Sequence, residues 1–276
     1  MSRTGKEIRL KRLIDEAGVS IICALDHGMT SPVFLKGLTD IQARAKEAIA
    51  GGANVFMLGR NMAKLCIREF RKDTALAFML SASAAICPEF NWVTEIATVD
   101  EALRFGADAV VVYVALSTSR DQQMLNFVAR VGAECEMKGM PFIAEAEFPT
   151  AYMPQDKLHE KYGTDYLVYS SRICAELGAD IVKTNWPGSQ KEFEKIIKAV
   201  PVPVVIAGGS RVGDQELLKR MQEGVEVGAV GCSVGRNIFE HQNPEAMTRA
   251  LSRVIREKWP AKLAVDELNE TLKIQS

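Results

Sequence analysis

One turn recurs along this chain. Gly52-Ala53-Asn54, Gly106-Ala107-Asp108, Gly178-Ala179-Asp180 and Gly228-Ala229 each close an amphipathic stretch and open an apolar run. Glycine suits the left-handed residue just past a helix C-terminus, after which the chain turns directly into a strand. Four copies of one αβ turn imply a repeating βα unit. The apolar runs are Val19–Leu25, Asn54–Leu58, Leu76–Ser81, Ala109–Val114, Pro141–Ala146, Asp180–Lys183, Val202–Ala207 and Ala229–Ser233. Their continuous apolar character fits strands covered on both faces, as in a parallel sheet. Between them lie helical patterns such as Asp40–Ala50, Gln122–Lys138, Ser189–Val200 and Gln215–Glu223.

Eight βα units occupy about 250 residues in a (β/α)8 barrel, and the chain has 276. The expected fold is therefore an α/β (β/α)8 TIM barrel, a single domain over residues 1–276. A helix-like Lys6–Glu16 would lie in an N-terminal cap (1–18), and residues 260–276 would form a C-terminal extension. A doubly wound open sheet gives the same alternation and is the alternative.

Composition narrows the class of partner. With 34 Lys+Arg against 35 Asp+Glu, the formal net charge is −1, and 47% of residues are hydrophobic. That excludes a disordered chain and leaves no electrostatic footprint for nucleic acid or a membrane surface. No apolar run approaches the roughly 20 residues of a membrane span, and the first residues do not read as a signal peptide. The six cysteines (23, 66, 87, 135, 174, 232) form no C-x-x-C pair, the pattern of reduced core thiols. A cytoplasmic protein with a small-molecule partner is expected.

In a barrel the chemistry is built at the C-terminal ends of the strands. Lys183 closes the sixth run, where a buried ammonium is costly. Desolvation or a neighbouring cation lowers a lysine pKa and leaves an amine able to attack a carbonyl. The other reading is a lysine that pairs with a carboxylate or reaches solvent. Asp26, at the end of the first run, is either a proton relay or a turn aspartate ahead of Gly28. His27 is expected to point away from Asp26 if the strand stays regular, leaving it a loop proton carrier. Gly208, Gly209, Ser210, Gly235 and Arg236 lie at the ends of the seventh and eighth runs. Glycines there let backbone N–H groups approach phosphate oxygens, Ser210 adds a hydroxyl, and Arg236 adds a fork of donors. Arg211 reads equally as a solvated loop charge.

The fifth run offers Glu145 and Glu147 on one face, suited to acid–base work or to pairing with cations outside the barrel; Tyr152 is another acid candidate. Ser81 and Ser83 read as hydrogen-bonding positions, and Phe90, Trp92 and Trp186 as packing residues. The three histidines (27, 159, 241) are scattered, so no metal site is expected.

Taken together, Asp26-His27-Gly28, Gly178-Ala179-Asp180-Ile181-Val182-Lys183-Thr184, Ala207-Gly208-Gly209 and Gly235-Arg236-Asn237-Ile238-Phe239 resemble the archaeal-type class I aldolases, the DhnA-like family. That family includes fructose-bisphosphate aldolases, aminodideoxyheptulosonate synthases and a thiolase acting on a phosphorylated autoinducer. The pieces come in the family's order and span nearly the whole chain. The resemblance implies that Lys183 forms a Schiff base, that Asp26 assists its proton transfers, and that the last two strand ends hold a substrate phosphate. It also implies a homo-oligomer and no cofactor. One departure stands out: the family's Tyr-Pro-Arg-Gly reads Phe148-Pro149-Thr150-Ala151 here. Phenylalanine cannot exchange a proton. If Phe148 takes the tyrosine's inward seat, alternation turns Glu145 and Glu147 away, unless a bulge intervenes.

The expected activity is that of a lysine-dependent aldolase or C–C lyase acting on a small phosphorylated ketose. The alternatives are a thiolase- or transaldolase-type relative acting on a phosphorylated diketone or deoxyketose, a phosphate-binding barrel without imine chemistry such as an isomerase or flavoenzyme, and a non-catalytic sugar-phosphate sensor.

Overall fold

The computed structural model describes residues 3–83, 92–149 and 155–275; Cys87, Phe90, Thr150, Ala151 and Tyr152 lie outside them. Eight parallel strands close into a barrel: β1 (Ser20–Ala24), β2 (Val55–Leu58), β3 (Ala75–Met79), β6 (Ala109–Val114), β7 (Phe142–Ala146), β8 (Ile181–Thr184), β9 (Val204–Ala207) and β10 (Gly231–Val234). Around the barrel the order is β1-β10-β9-β8-β7-β6-β3-β2. Helices alternate with them: α1 (Arg3–Leu13), α2 (Ile41–Gly51), α3 (Arg60–Cys66), α4 (Val99–Arg104), α5 (Asp121–Lys138), α6 (Gln155–Glu176, broken at Gly163), α7 (Gln190–Ala199), α8 (Asp214–Glu226), the short α9 (Arg236–Phe239), α10 (Pro244–Ile255) and α11 (Ala261–Gln275). This is the expected barrel and not the open sheet.

One expected strand divides. The run Leu76–Ser81 leaves the barrel after Met79, and Ser81–Ser83 (β4) instead pairs antiparallel with Val93–Glu95 (β5). The Ser81 hydroxyl accepts the Tyr113 N–H at 2.9 Å, so a side chain takes the place of a continued barrel ladder.

Alternation along the strands sorts the core into two sets. Ile22, Ala24, Val55, Met57, Ala75, Ala77, Met79, Ala109, Val111, Ile143, Ile181 and Val205 fill the barrel interior. Their neighbours, including Ile21, Cys23, Phe56, Phe78, Val110, Phe142 and Val182, face the helices. Both faces are therefore buried, which is why the runs read as continuously apolar. Cys23, Cys66, Cys135, Cys174 and Cys232 are buried free thiols. Burial pushes Cys66 up to about 11, and Cys135 and Cys174 up to about 12.

The recurrent turn has a structural reason. Gly52, Gly106, Gly178 and Gly228 all have φ between +75° and +119°, the left-handed region where a Cβ is strained. In three copies the next polar residue clasps the neighbouring strand. Ile21 N donates to Asn54 Oδ1 at 2.8 Å, Leu76 N to Asp108 at 3.1 Å and Phe142 N to Asp180 at 2.8 Å. The same residues anchor α1 across the lower opening of the barrel. Asn54 Nδ2 donates to Leu13 O, Arg12 pairs with Asp108 and Lys6 with Asp180. Leu13 is fully buried among the interior side chains and so closes that end.

Candidate active site

The inward positions change character one layer above the apolar interior. Tyr113 on β6, Glu145 on β7 and Lys183 on β8 stand in register, directly above Val111, Ile143 and Ile181. Lys183 Nζ lies 2.5 Å from Glu145 Oε1 and 2.8 Å from Glu147 Oε1, and all three residues are buried. Asp26, His27, Thr30, Ser83, Gly208, Gly209, Ser233, Gly235 and Arg236 line the same cavity.

This geometry decides between the two faces left open for the fifth run. Phe148 does not point inward. It lies in the helix-facing core, its ring stacked on Tyr162 and Tyr166 at 6.0 and 5.9 Å. Ala146 is on that side too, so regular alternation, with no bulge, turns Glu145 and Glu147 inward. The apolar set Phe142, Ala144, Ala146 and Phe148 fits the face against the helices. The two carboxylates take the face where Lys183 supplies a cation.

Of the two readings of Lys183, the structure shows the one paired with carboxylates, and its pKa is raised and not lowered. Burial does work against the ammonium, but Glu145, Glu147 and Asp26 outweigh it and hold the pKa above the ordinary lysine value. Burial in turn pushes the Glu145 carboxyl up to about 7 against the pull of Lys183, with Asp26 and Glu147 adding to the rise. Burial likewise raises the Asp26 pKa, opposed by Lys183. One ammonium thus faces three carboxylates.

Asp26 is 8% exposed, and its Oδ1 has no hydrogen-bond partner. The strand ends at Ala24 and a 3-10 turn follows at His27–Met29. That irregularity brings His27 back beside Asp26, Nδ1 to Oδ1 3.7 Å, instead of pointing it away. Burial, with Arg236 and Lys183 nearby, pushes the His27 pKa down to about 3, so the ring is neutral near pH 7. It rests against the Gly235 backbone, where an added Cβ would come within 2.3 Å of His27 Cε1.

Among the residues expected to hold phosphate, Gly208, Gly209, Gly235 and Arg236 line the cavity; Ser210 does not. Its carbonyl instead accepts from Asn237 Nδ2, which also donates to Gly208 O, both at 3.2 Å. Asn237 thereby fixes the β9 loop to the β10 loop. Arg211 donates to the Glu240 carbonyl outside the cavity. Trp186 packs on Phe193 as expected, whereas Trp92 is partly exposed beneath Arg120. Two residues that sequence reasoning missed hold the loop after β7: the Tyr113 hydroxyl donates to Phe148 O at 2.8 Å, and Asn185 Oδ1 accepts from Phe148 N at 2.7 Å. Asn185, two residues after Lys183, has only its spacing as a signal.

Known proteins resemble the chain in both sequence and fold. A 2-amino-3,7-dideoxy-D-threo-hept-6-ulosonate synthase from Halobacterium salinarum is 32% identical over 92% of this chain and 93% of that protein. An uncharacterized aldolase from Saccharolobus solfataricus is 30% identical over 98% of each. The structure of an archaeal fructose-1,6-bisphosphate aldolase with its catalytic lysine bound to a carbinolamine superposes with a TM-score of 0.78. At 23% identity, over 91% of this chain and 99% of that one, it shows the shared fold. No described helix is long and apolar enough to cross a membrane. The model of the DeoC/LacD family aldolases matches residues 20–241, and with this barrel and these relatives the chain belongs to that family of lyases.

Proposed function

We propose that the protein is a Schiff-base aldolase of class I whose nucleophile is Lys183 and whose substrate is a small phosphorylated ketose. The observation that carries this reading is Lys183 Nζ held 2.5 Å from Glu145 and 2.8 Å from Glu147 in a cavity shared with Asp26, Gly209 and Arg236. The carbinolamine formed on lysine in the archaeal aldolase of the same fold supports it.

In the resting site Lys183 is an ammonium and cannot attack. Glu145 takes one proton across the short contact, and the neutral amine adds to the ketone carbon while a second nitrogen proton passes to the carbonyl oxygen. Loss of that hydroxyl as water, with a proton returned from a carboxyl group, leaves an iminium. Its positive charge draws the electrons of the adjacent C–C bond into an enamine as the substrate hydroxyl gives up its proton. Glu147, one step nearer the mouth than Glu145, is placed to receive that proton. Asp26, with an uncommitted oxygen and a raised pKa, relays protons at the carbinolamine. Gly208, Gly209, Gly235 and Arg236 anchor the phosphate and align the carbonyl with the amine. Ser210 is outside this set, and His27 orients the Asp26 side of the cavity without acting as a charged acid.

Borohydride reduction in the presence of dihydroxyacetone phosphate, followed by peptide mass spectrometry, tests the proposal. A substrate-dependent adduct on Lys183 is expected; folded protein that forms no adduct with any phosphorylated ketone overturns it. The Halobacterium relative, named a synthase, favours a second outcome in which a second aldehyde, not a proton, captures the enamine. Added aldehydes that raise product formation from the donor would identify that direction.

A further inference from the structure

We infer that the substrate carries a single phosphate and that the wall formed by β6 and β7 discriminates against a second one. This rests on the Schiff-base reading above and deepens it. Around the barrel, Lys183 on β8 stands between two unlike arcs. On one side, the ends of β9 and β10 contribute Gly208, Gly209, Gly235 and Arg236. On the other, β7, β6 and the chain beyond β3 contribute Glu145, Glu147, Tyr113 and Ser83. A ketose with its carbonyl at Lys183 and its phosphate beside Arg236 extends its remaining carbons toward the second arc.

Among its described residues that arc offers no cation. Among the described cavity-lining residues the basic groups are Lys183, Arg236 and His27, and His27 is held neutral. Lys183 is consumed by the imine and by its two glutamates. The other arginines near the strand ends are engaged elsewhere. Arg60 is bound to Glu101 and the Ile96 carbonyl, Arg120 lies over Trp92, and Arg211 binds the Glu240 carbonyl. Residues 84–91 and 150–154 contain no Lys, Arg or His.

A phosphate dianion brought against Glu147 and Glu145 would be desolvated and repelled at once, in surroundings where water screens poorly. A hydroxyl or other neutral polar group meets donors and acceptors there instead. Discrimination thus comes from a repulsive element as well as an attractive one.

Binding without chemistry separates this inference from the imine mechanism. Isothermal titration with hexitol 1-phosphate and hexitol 1,6-bisphosphate, neither of which has a carbonyl, is expected to give at least tenfold tighter binding of the monophosphate. Fructose 1-phosphate is likewise expected to outcompete fructose 1,6-bisphosphate for borohydride trapping on Lys183. Glu147→Gln should narrow the hexitol binding ratio at least threefold, and a ratio unchanged in that variant overturns the assignment to this wall. Equal or tighter binding of the bisphosphate overturns the inference, while trapping of dihydroxyacetone phosphate in the same protein would leave the Schiff-base reading standing. If no ketone phosphate is trapped, both fail.

Discussion

The two ends of the barrel are built from the same strands by opposite rules. At the lower level the inward residues of β6, β7 and β8 are Val111, Ile143 and Ile181, sealed beneath by Leu13. Two residues further along each strand they are Tyr113, Glu145 and Lys183. The lower end also carries acids, but each is satisfied where it stands. Asp108 and Asp180 accept backbone N–H groups and pair with Arg12 and Lys6. At the mouth, Asp26 has a buried oxygen with no partner, and three carboxylates compete for one ammonium. Acids that hold the fold together are paired off, whereas the acids of the candidate site are left short of a proton or a partner.

This contrast is most sharply broken by Lys183→Met. Activity should fall by roughly 10⁴-fold or more, as expected when a covalent nucleophile is removed. Because Glu145 and Glu147 lose their cation, stability should also fall, by up to about 3–5 kcal/mol for a broken buried pair. The loss should be greater at pH 8 than at pH 6, where Glu145 takes up a proton. Urea denaturation at both pH values checks this; no pH difference would mean that the pair is not desolvated.

Glu145→Gln should cost about 10²–10⁴-fold in kcat/KM. In the parent enzyme kcat/KM should fall tenfold per pH unit below about 7, because protonated Glu145 cannot accept the lysine proton; the variant should lose that limb. The stability sign is the reverse. A carboxyl raised from 4.5 to about 7 in the folded state binds a proton that the unfolded chain has released. Stability therefore declines as pH rises across that interval, and the glutamine variant should flatten the decline.

At the lower end, Leu13→Ala should cost about 2–5 kcal/mol of stability yet leave kcat within about twofold, since it touches no reacting group. Smallest of all, Lys6→Ala should cost about 1 kcal/mol or less, because its pairs are partly solvated. Denaturation midpoints read both.

The barrel was legible because its signals are local and repeated. A left-handed glycine after each of four helices and strands buried on both faces leave marks that need no partner to be read. Lys183, Asp26 and the glycines of the β9 and β10 ends were legible for the same reason, since a strand end is a position in sequence. The state of Lys183 was not. Its pKa depends on which way Glu145 and Glu147 face, and matching Phe148 to a tyrosine seat would have turned them away. The chain's own pattern held the answer: Phe142, Ala144, Ala146 and Phe148 make one apolar face, so 143, 145 and 147 take the other. Asn185 and Asn237 went unrecognised because their work is to fix backbone on a neighbouring loop, a relation visible only in three dimensions. His27 was misplaced because the strand was assumed to continue to its position.

The plug at the lower opening also sets an order of assembly. Lys6 is separated from its partner Asp180 by 174 residues, and Asp15 from Arg256 by 241. At ribosomal rates of about 5–20 residues per second, the acid that seats Lys6 is made roughly 10–35 seconds later. A helix translated before every strand of the barrel is thus among the last to be placed. Until then its apolar side, with Leu10, Leu13 and Ile14, has no barrel interior to enter. The growing chain carries its own stopper exposed to whatever binds nascent apolar segments, and the stopper is seated only once the strands above it have been made.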